Sequence, residues 1–276
     1  MENCKMDLEI IKYPRTHHIE GSHLQPGDED VESVPFGEIA NRYLVVEEKA
    51  DGSNCGISFT PGGELMLQSR GHYLTGGVRE KHFALFKSWA HTFVNELKEG
   101  LQDKFIMYGE WLYAKHTVFY NRLPHYFIEF DIYDKVKKEF LSTETRRVML
   151  EIIPFITMVP VLFEGKIKSL MELKSLIGQS HFIKGNHLND LRKKCLELDL
   201  DGDRVIRETD PSNHMEGLYI KVEEGGMVKE RYKFVRARFL ATVLDSESHW
   251  IQRPVVPNQL IHGTDLFSFQ SQKVLC

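Results

Sequence analysis

Two periodicities divide this chain: apolar–polar alternation marks strands, and a 3.6-residue apolar repeat marks helices. Runs at Leu44–Glu48, Cys55–Phe59 and Leu65–Ser69 read as strands, with Pro61-Gly62-Gly63 as the turn between the last two. From Lys81 to Leu97 the residues Phe86, Trp89, Ala90, Phe93 and Leu97 recur at i, i+3, i+4 spacing, which predicts one amphipathic helix with a core-facing stripe. Strands follow at Phe105–Trp111 and Tyr126–Tyr133. The middle is more helical: Thr143–Ile153, a helix opening at the capping box Ser169-Leu170-Met171-Glu172 and stopping at Gly178, and His187–Leu198. Gly217–Glu223 and Val228–Val235 flank Gly225-Gly226, a hairpin signal. Residues 1–40 are rich in turn formers (Pro14, Gly21, Pro26-Gly27, Pro35, Gly37) and predict a wrap of loops and short strands. The last forty residues, with an apolar patch around His249-Trp250 and two prolines, predict a small terminal cap. The pattern is α+β, built on antiparallel sheets flanked by helices. It divides into a main domain over 1–240, including the N-terminal wrap, and a cap over 241–276.

At 276 residues the chain buries a substantial core, and 42% apolar with 27% charged residues is the composition of a soluble globular protein. There is no run of eighteen apolar residues, so no membrane helix is expected, and the start lacks the basic and apolar regions of a signal peptide. Cys4, Cys55, Cys195 and Cys276 are widely spaced, the pattern of free thiols in a reducing cytoplasm rather than of disulfides or a zinc site. Net charge is −5, yet phosphate binding needs a basic stripe rather than a basic protein. Such a stripe runs from Lys229 to Arg238, where Lys229, Arg231, Lys233, Arg236 and Arg238 face Glu230 alone and alternate with Tyr232, Phe234 and Phe239.

Chemistry concentrates at Lys49, where the strand Val45-Val46-Glu47-Glu48 ends in a Lys-x-Asp-Gly turn. With a pKa near ~10.4, a free lysine is almost wholly protonated at neutral pH. Desolvation or neighbouring cations must lower that value before the amine attacks anything.

Further pieces follow in chain order: Ser69-Arg70-Gly71, Tyr108-Gly109-Glu110, Phe127 to Tyr133, Glu216-Gly217-Leu218-Tyr219-Ile220-Lys221 and Arg231-Tyr232-Lys233. Their order and spacing resemble the covalent nucleotidyltransferases, the superfamily of polynucleotide ligases and capping enzymes. Within it, residues 40–238 look most like the ATP-dependent RNA ligases of the phage RNA ligase 2 type. The resemblance implies an adenylation domain and a three-step reaction. Lys49 takes AMP from ATP with Mg²⁺ or Mn²⁺, the AMP passes to an RNA 5′-phosphate, and an RNA 3′-hydroxyl then displaces it. It also implies site residues. Lys221 and Lys233 surround the α-phosphate as catalytic cations and depress the Lys49 pKa, with Arg231 as helper, where the family often has lysine. Glu110 binds a ribose hydroxyl, and Glu216 positions the metal-bound triphosphate. Phe130 stacks on adenine, with Phe127 as the alternative, and the main chain at Glu48 reads the adenine edge. Asn54 and Arg70 meet the RNA 5′-phosphate or a ribose.

A shared pocket requires Lys221 and Lys233 on one face of the hairpin. A two-residue turn would set Lys221 opposite Glu230 and turn Lys233 away. We therefore expect a three-residue loop, Glu224 to Gly226, with Gly226 left-handed and a bulge. Capping guanylyltransferases and DNA ligases are the nearest alternatives. Both normally carry an oligonucleotide-binding barrel after the last lysine motif, and about forty residues after Val235 are too few for one. A catalytically idle nucleic-acid-binding relative is a further alternative, opposed by the joint presence of Lys49, Glu110, Glu216, Lys221 and Lys233.

Overall fold

The computed structural model describes residues 9–24, 31–245 and 253–268. His249-Trp250 therefore lies outside the described residues. In chain order the strands are β1 (His17–Ile19), β2 (Ser33–Val34), β3 (Tyr43–Lys49), β4 (Ser53–Phe59) and β5 (Leu65–Ser69). Helices α1 (Ala84–Thr92) and α2 (Val94–Leu101) precede β6 (Phe105–Trp111), β7 (Phe127–Asp134) and β8 (Glu139–Leu141). Then come α3 (Thr143–Leu150), β9 (Thr157–Met158), β10 (Val161–Lys166), α4 (Leu170–Ser175), α5 (His187–Glu197) and α6 (Gly202–Arg207). β11 (Gly217–Glu224), β12 (Met227–Val235) and α7 (Ala237–Asp245) complete the set.

The strands form one continuous sheet in the order β10-β3-β11-β12-β8-β7-β6-β4-β5, antiparallel along this path, with β1 added parallel to β12. Each arm packs its outer face on its own core. Leu44, Val46, Leu218, Ile220, Val222 and Phe234 of β3, β11 and β12 pack with Ile167 and Leu173. Cys55, Ile57, Phe59, Met107 and Phe127 of β4, β6 and β7 pack with Phe86, Trp89 and Leu97 of α1 and α2. The remaining faces of the two arms turn toward one another and make the site.

The expected helix over 81–97 is two helices, because Phe93 leaves helical geometry at φ −105°, ψ 27° between them. Its side chain still packs in the core, so the apolar period survives the break. The capping box at Ser169 forms: its side chain accepts from the Glu172 N–H at 3.2 Å, and Glu172 reaches back to the Lys168 N–H at 2.9 Å.

The hairpin departs from expectation in an instructive way. Glu224 pairs with Met227, so the turn has two residues, Gly225 and Gly226, with φ +61° and +79° that favour glycine. The bulge lies further down: Glu223 pairs with Val228 but Val222 with Glu230, which leaves Lys229 as the extra residue. From there Lys221 opposes Arg231 and Tyr219 opposes Lys233. The common face is restored by the strand bulge, not by a three-residue loop.

Candidate active site

Cross-strand partners share a face of a sheet. Lys49 pairs with Gly217, Glu47 with Tyr219 and Val45 with Lys221. Lys49, Glu47, Tyr219, Lys221, Arg231 and Lys233 therefore look toward the other arm, where Asn54 pairs with Glu110 and Tyr108 with Asp131.

Lys49 closes β3, and the turn after it is pinned from several directions. The Asp51 carboxylate accepts from the Thr117 and Val118 N–H groups at 2.6 and 2.8 Å, and the Asp51 N–H donates to the Tyr120 hydroxyl at 2.8 Å. The Gly52 N–H donates to Glu110 Oε1 at 3.1 Å. A Cβ at Gly52 would meet Leu112 at 2.5 Å and the Trp111 carbonyl at 2.9 Å, so only glycine fits there.

The charge around the amine is the reverse of the expectation. Lys49 Nζ donates to Glu216 Oε1 at 2.7 Å, and its partners are carboxylates rather than cations. Burial opposes its charge, but Glu216, Glu110 and Asp51 outweigh that and raise its pKa above the ordinary lysine value. Glu110 is pushed up to about 8 by burial, reinforced by Glu216 and Asp51 against the pull of Lys49. With Glu110 pushed up that far, Lys49 faces the carboxylates of Glu216 and Asp51 and the acid of Glu110, and this surplus of acidic oxygens over one amine fits a divalent cation. Among the described residues no group of three His, Cys, Asp or Glu side chains is arranged to hold a metal by itself. A metal here would rely on substrate oxygens and water, as Mg²⁺ does.

Lys221 lies elsewhere. Its register partner is Val45, four residues from Lys49, about 13 Å along the strand. It is fully buried, with Nζ 2.9 Å from Glu47 and 3.6 Å from Asp131. Arg146 of α3 forks onto Glu129 at 2.9 and 3.0 Å and reaches Glu47 at 2.9 Å. Arg231 joins Asp131 at 3.0 Å and lies over the Phe140 ring at 3.6 Å. The network balances three acids, Glu47, Glu129 and Asp131, against Arg146, Lys221 and Arg231. The structure thus puts Lys221 and Arg231 in a buried ion network and not around the amine.

Phe130 is the extra residue of a second bulge, since Tyr108 pairs with Asp131 and Gly109 with Glu129. Its carbonyl, freed from the ladder, accepts from Lys221 Nζ. Its ring is 6.2 Å from that of Tyr219 across the cleft and 5.1 Å from Tyr13, edge-on. Tyr13 comes from the N-terminal wrap, and its hydroxyl donates to Asp131 at 2.7 Å and sits 2.5 Å from the Tyr219 hydroxyl. Phe127, the alternative aromatic, is core, stacked on Phe86 and Trp89.

The Glu48 side chain lies on the opposite face, where it accepts from Ser180 Oγ at 2.6 Å, the His181 N–H at 3.0 Å and His181 Nδ1 at 2.7 Å. Its own N–H goes to the Pro160 carbonyl at 3.0 Å. Asn54 Oδ1 is buried opposite Glu110 without a hydrogen-bond partner, whereas Arg70 is exposed just after β5. Lys233 is 8% exposed and two positions along the same face from the register of Lys49. Sequence reasoning missed Tyr13, Tyr219, Ser180 and His181. Tyr13 touches Asp131 across 118 residues, and no local pattern marks such a contact.

A lysine at a strand end, between two facing arms of an antiparallel sheet flanked by helices, is the architecture of a nucleotidyltransferase domain. The family model described as RNA ligase matches residues 42–235, and the chain belongs to that family. Among solved structures, Naegleria gruberi RNA ligase has this fold. A lysine-to-alanine mutant with ATP and Mn is 16% identical, with TM-score 0.51, covering 85% of this chain and 59% of that one. A second lysine-to-alanine mutant, apo, gives 17% and TM-score 0.53 over 86% and 58%. A lysine-to-methionine mutant with AMP and Mn gives 16% and 0.52 over 86% and 59%. The chain thus spans about three-fifths of the length of these ligases. No curated protein matches it. Among the described residues no helix is long and apolar enough to cross a membrane.

Proposed function

We propose that this protein is an ATP-dependent RNA ligase that joins 5′-phosphate and 3′-hydroxyl RNA ends through a lysyl-AMP intermediate. The observation that carries the reading is Lys49 itself, held 2.7 Å from Glu216 beside Glu110, in a chain of the RNA ligase family. The Lys49 nitrogen attacks the α-phosphorus of ATP; an N–P bond forms and the bond to pyrophosphate breaks. The AMP then passes to an RNA 5′-phosphate, and a 3′-hydroxyl displaces it to make the phosphodiester. A divalent cation, Mg²⁺ or Mn²⁺, supplies positive charge where phosphate charge builds.

The chain's own groups do the rest. Glu216 holds the Lys49 proton until the nucleotide arrives, so the amine is stored charged and must shed that proton before attack. Lys233 is the cation that reaches the phosphates. Glu110 carries a proton at neutral pH and is suited to hydrogen-bond a ribose hydroxyl. Phe130 and Tyr219 face each other where a base would enter, whereas the Glu48 N–H is spent on the Pro160 carbonyl and is not available to read the adenine edge. Asn54, opposite Glu110, and exposed Arg70 receive the RNA 5′ end, where donors such as the Arg70 guanidinium suit phosphate oxygens. Lys221 and Arg231 act at one remove, by holding Asp131 and the Phe130 bulge.

Incubation with ATP and Mg²⁺ or Mn²⁺, followed by intact-mass measurement, tests the reading. Wild type gains one AMP and Lys49→Ala gains none. A GMP adduct from GTP instead would mark a capping-type enzyme, and an unmodified wild type would favour an idle RNA-binding relative.

A further inference from the structure

The segment 253–261 follows the family-matched region and contributes nothing to the motifs, yet it is built into the scaffold of the nucleophile. Asn258 is 1% exposed and makes four hydrogen bonds to the loop between β6 and β7. Its side-chain oxygen accepts from the Tyr120 N–H at 2.9 Å, and its side-chain nitrogen donates to the Leu112 carbonyl at 2.8 Å. Its own N–H donates to the Tyr113 carbonyl at 2.8 Å, and its carbonyl accepts from the Tyr126 hydroxyl at 2.8 Å. On either side, the Lys115 N–H donates to the Val256 carbonyl, the Gln259 N–H to Tyr120, and the Leu123 N–H to Gln259, at 2.8–2.9 Å.

That loop is the one that grips Asp51. Thr117 and Val118 supply the two N–H donors to its carboxylate, and Tyr120 supplies the hydroxyl that accepts from its N–H. Both ends of Tyr120 are thus engaged: its main chain is held by Asn258 and Gln259, and its phenol holds the backbone two residues after Lys49. A side-chain amide that bonds a main-chain N–H and a carbonyl at once fixes a loop in one conformation, and a buried loop with those groups unpaired would rearrange.

We propose that segment 253–261, acting through Asn258 and Tyr120, is a positioning element that sets the Lys49 turn for attack on the nucleotide. Asn258 touches no substrate; it works through the 112–126 loop on Asp51. The inference rests on Lys49 being the nucleophile.

The test follows single-turnover lysyl-AMP formation at 25 °C in the full chain, comparing wild type, Asn258→Ala, Asn258→Asp, Tyr120→Phe and the Asn258→Ala/Tyr120→Phe pair. Displacement of a reacting group by about 1 Å costs roughly a hundredfold, so a loss of that order in rate is expected for Asn258→Ala, with the KM for ATP much less affected. Asn258→Asp, which keeps the oxygen that receives the Tyr120 N–H, recovers part of the rate. The paired variant is no slower than its slower parent, because both changes cut one path. Multiplicative losses in the pair, or a wild-type rate per folded Asn258→Ala molecule, overturn the proposal. A second readout is independent of activity: amide hydrogen exchange at Thr117 and Val118 quickens in Asn258→Ala beyond any change at β11. If wild type itself forms no adduct, the ligase reading fails, and this exchange still decides whether Asn258 holds the Asp51 grip. Unchanged exchange at those two amides sinks it.

Discussion

Replacing Lys221 by methionine separates a buried structural lysine from one that touches phosphate. In the wild-type network three acids meet three cations, all of them withdrawn from water. Lys221→Met leaves Glu47, Glu129 and Asp131 facing only Arg146 and Arg231. Removing one partner of a buried ion pair costs about 3–5 kcal/mol, since the charge left behind is neither solvated nor paired. The Phe130 bulge carbonyl also loses its donor, which adds about 1–3 kcal/mol for an unsatisfied buried group. At roughly 2–4 °C per kcal/mol for a chain of this size, the melting temperature falls by about 10 °C or more. Urea unfolding at pH 7 reads the loss directly. Adding Glu47→Gln to Lys221→Met restores a balance of two acids and two arginines, and about half the lost stability returns. Adenylylation per folded molecule, assayed at 10 °C, falls mainly through the KM for ATP as the Phe130 bulge loosens. The reasoning fails if Lys221→Met is as stable as wild type within about 1 kcal/mol and yet forms no adduct, because the lysine would then act on the nucleotide itself.

Deleting Lys229 alone removes the β12 bulge but leaves Val222 opposite Glu230, Lys221 opposite Arg231 and Tyr219 opposite Lys233, so adenylylation persists. Deleting Glu230 as well sets Lys233 opposite Ile220, on the other face, and adenylylation is lost; loss in the single deletion, or activity in the double, argues against this parity. Glu110 titrates from an ordinary 4.5 to about 8 on folding. Between those values the folded protein holds a proton that the unfolded chain has lost, so this group's contribution falls as pH rises from 4.5 to 8. Denaturant titrations should therefore show Glu110→Gln gaining on wild type across that window, and a constant difference contradicts the assignment. His181 is raised by its hydrogen bond to Glu48, so its contribution is full below the ordinary histidine value and fades as pH rises through the raised one. The His181 side chain is half exposed, so the advantage of wild type over His181→Gln is under about 1 kcal/mol and shrinks in salt. A difference that persists at pH 9 argues against this pairing.

Much of the architecture was readable locally. The strands from Leu44 to Ser69, the capping box at Ser169 and the two glycines of the hairpin follow from alternation, caps and turn chemistry. Each of these is decided within a few residues. The break at Phe93 was hidden because its side chain keeps the apolar period while its backbone leaves the helix. Strand β10 escaped because Val161–Lys166 includes Gly165 and pairs with β3 far upstream. The hairpin shows the boundary well: the sequence demanded a common face for Lys221 and Lys233, but a bulge could sit anywhere along the strand.

The Lys-x-Asp-Gly turn at Lys49 and the order of the motifs that follow it were determined by sequence alone, because residue type and spacing carry them. The charge around Lys49 was not. Coulomb energies depend on which distant segments meet and how dry they are, so only the folded chain decided that Lys49 faces Glu216 and that Lys221 serves Asp131. The same holds for Asn258, whose four partners lie more than 130 residues away and become neighbours only through tertiary structure.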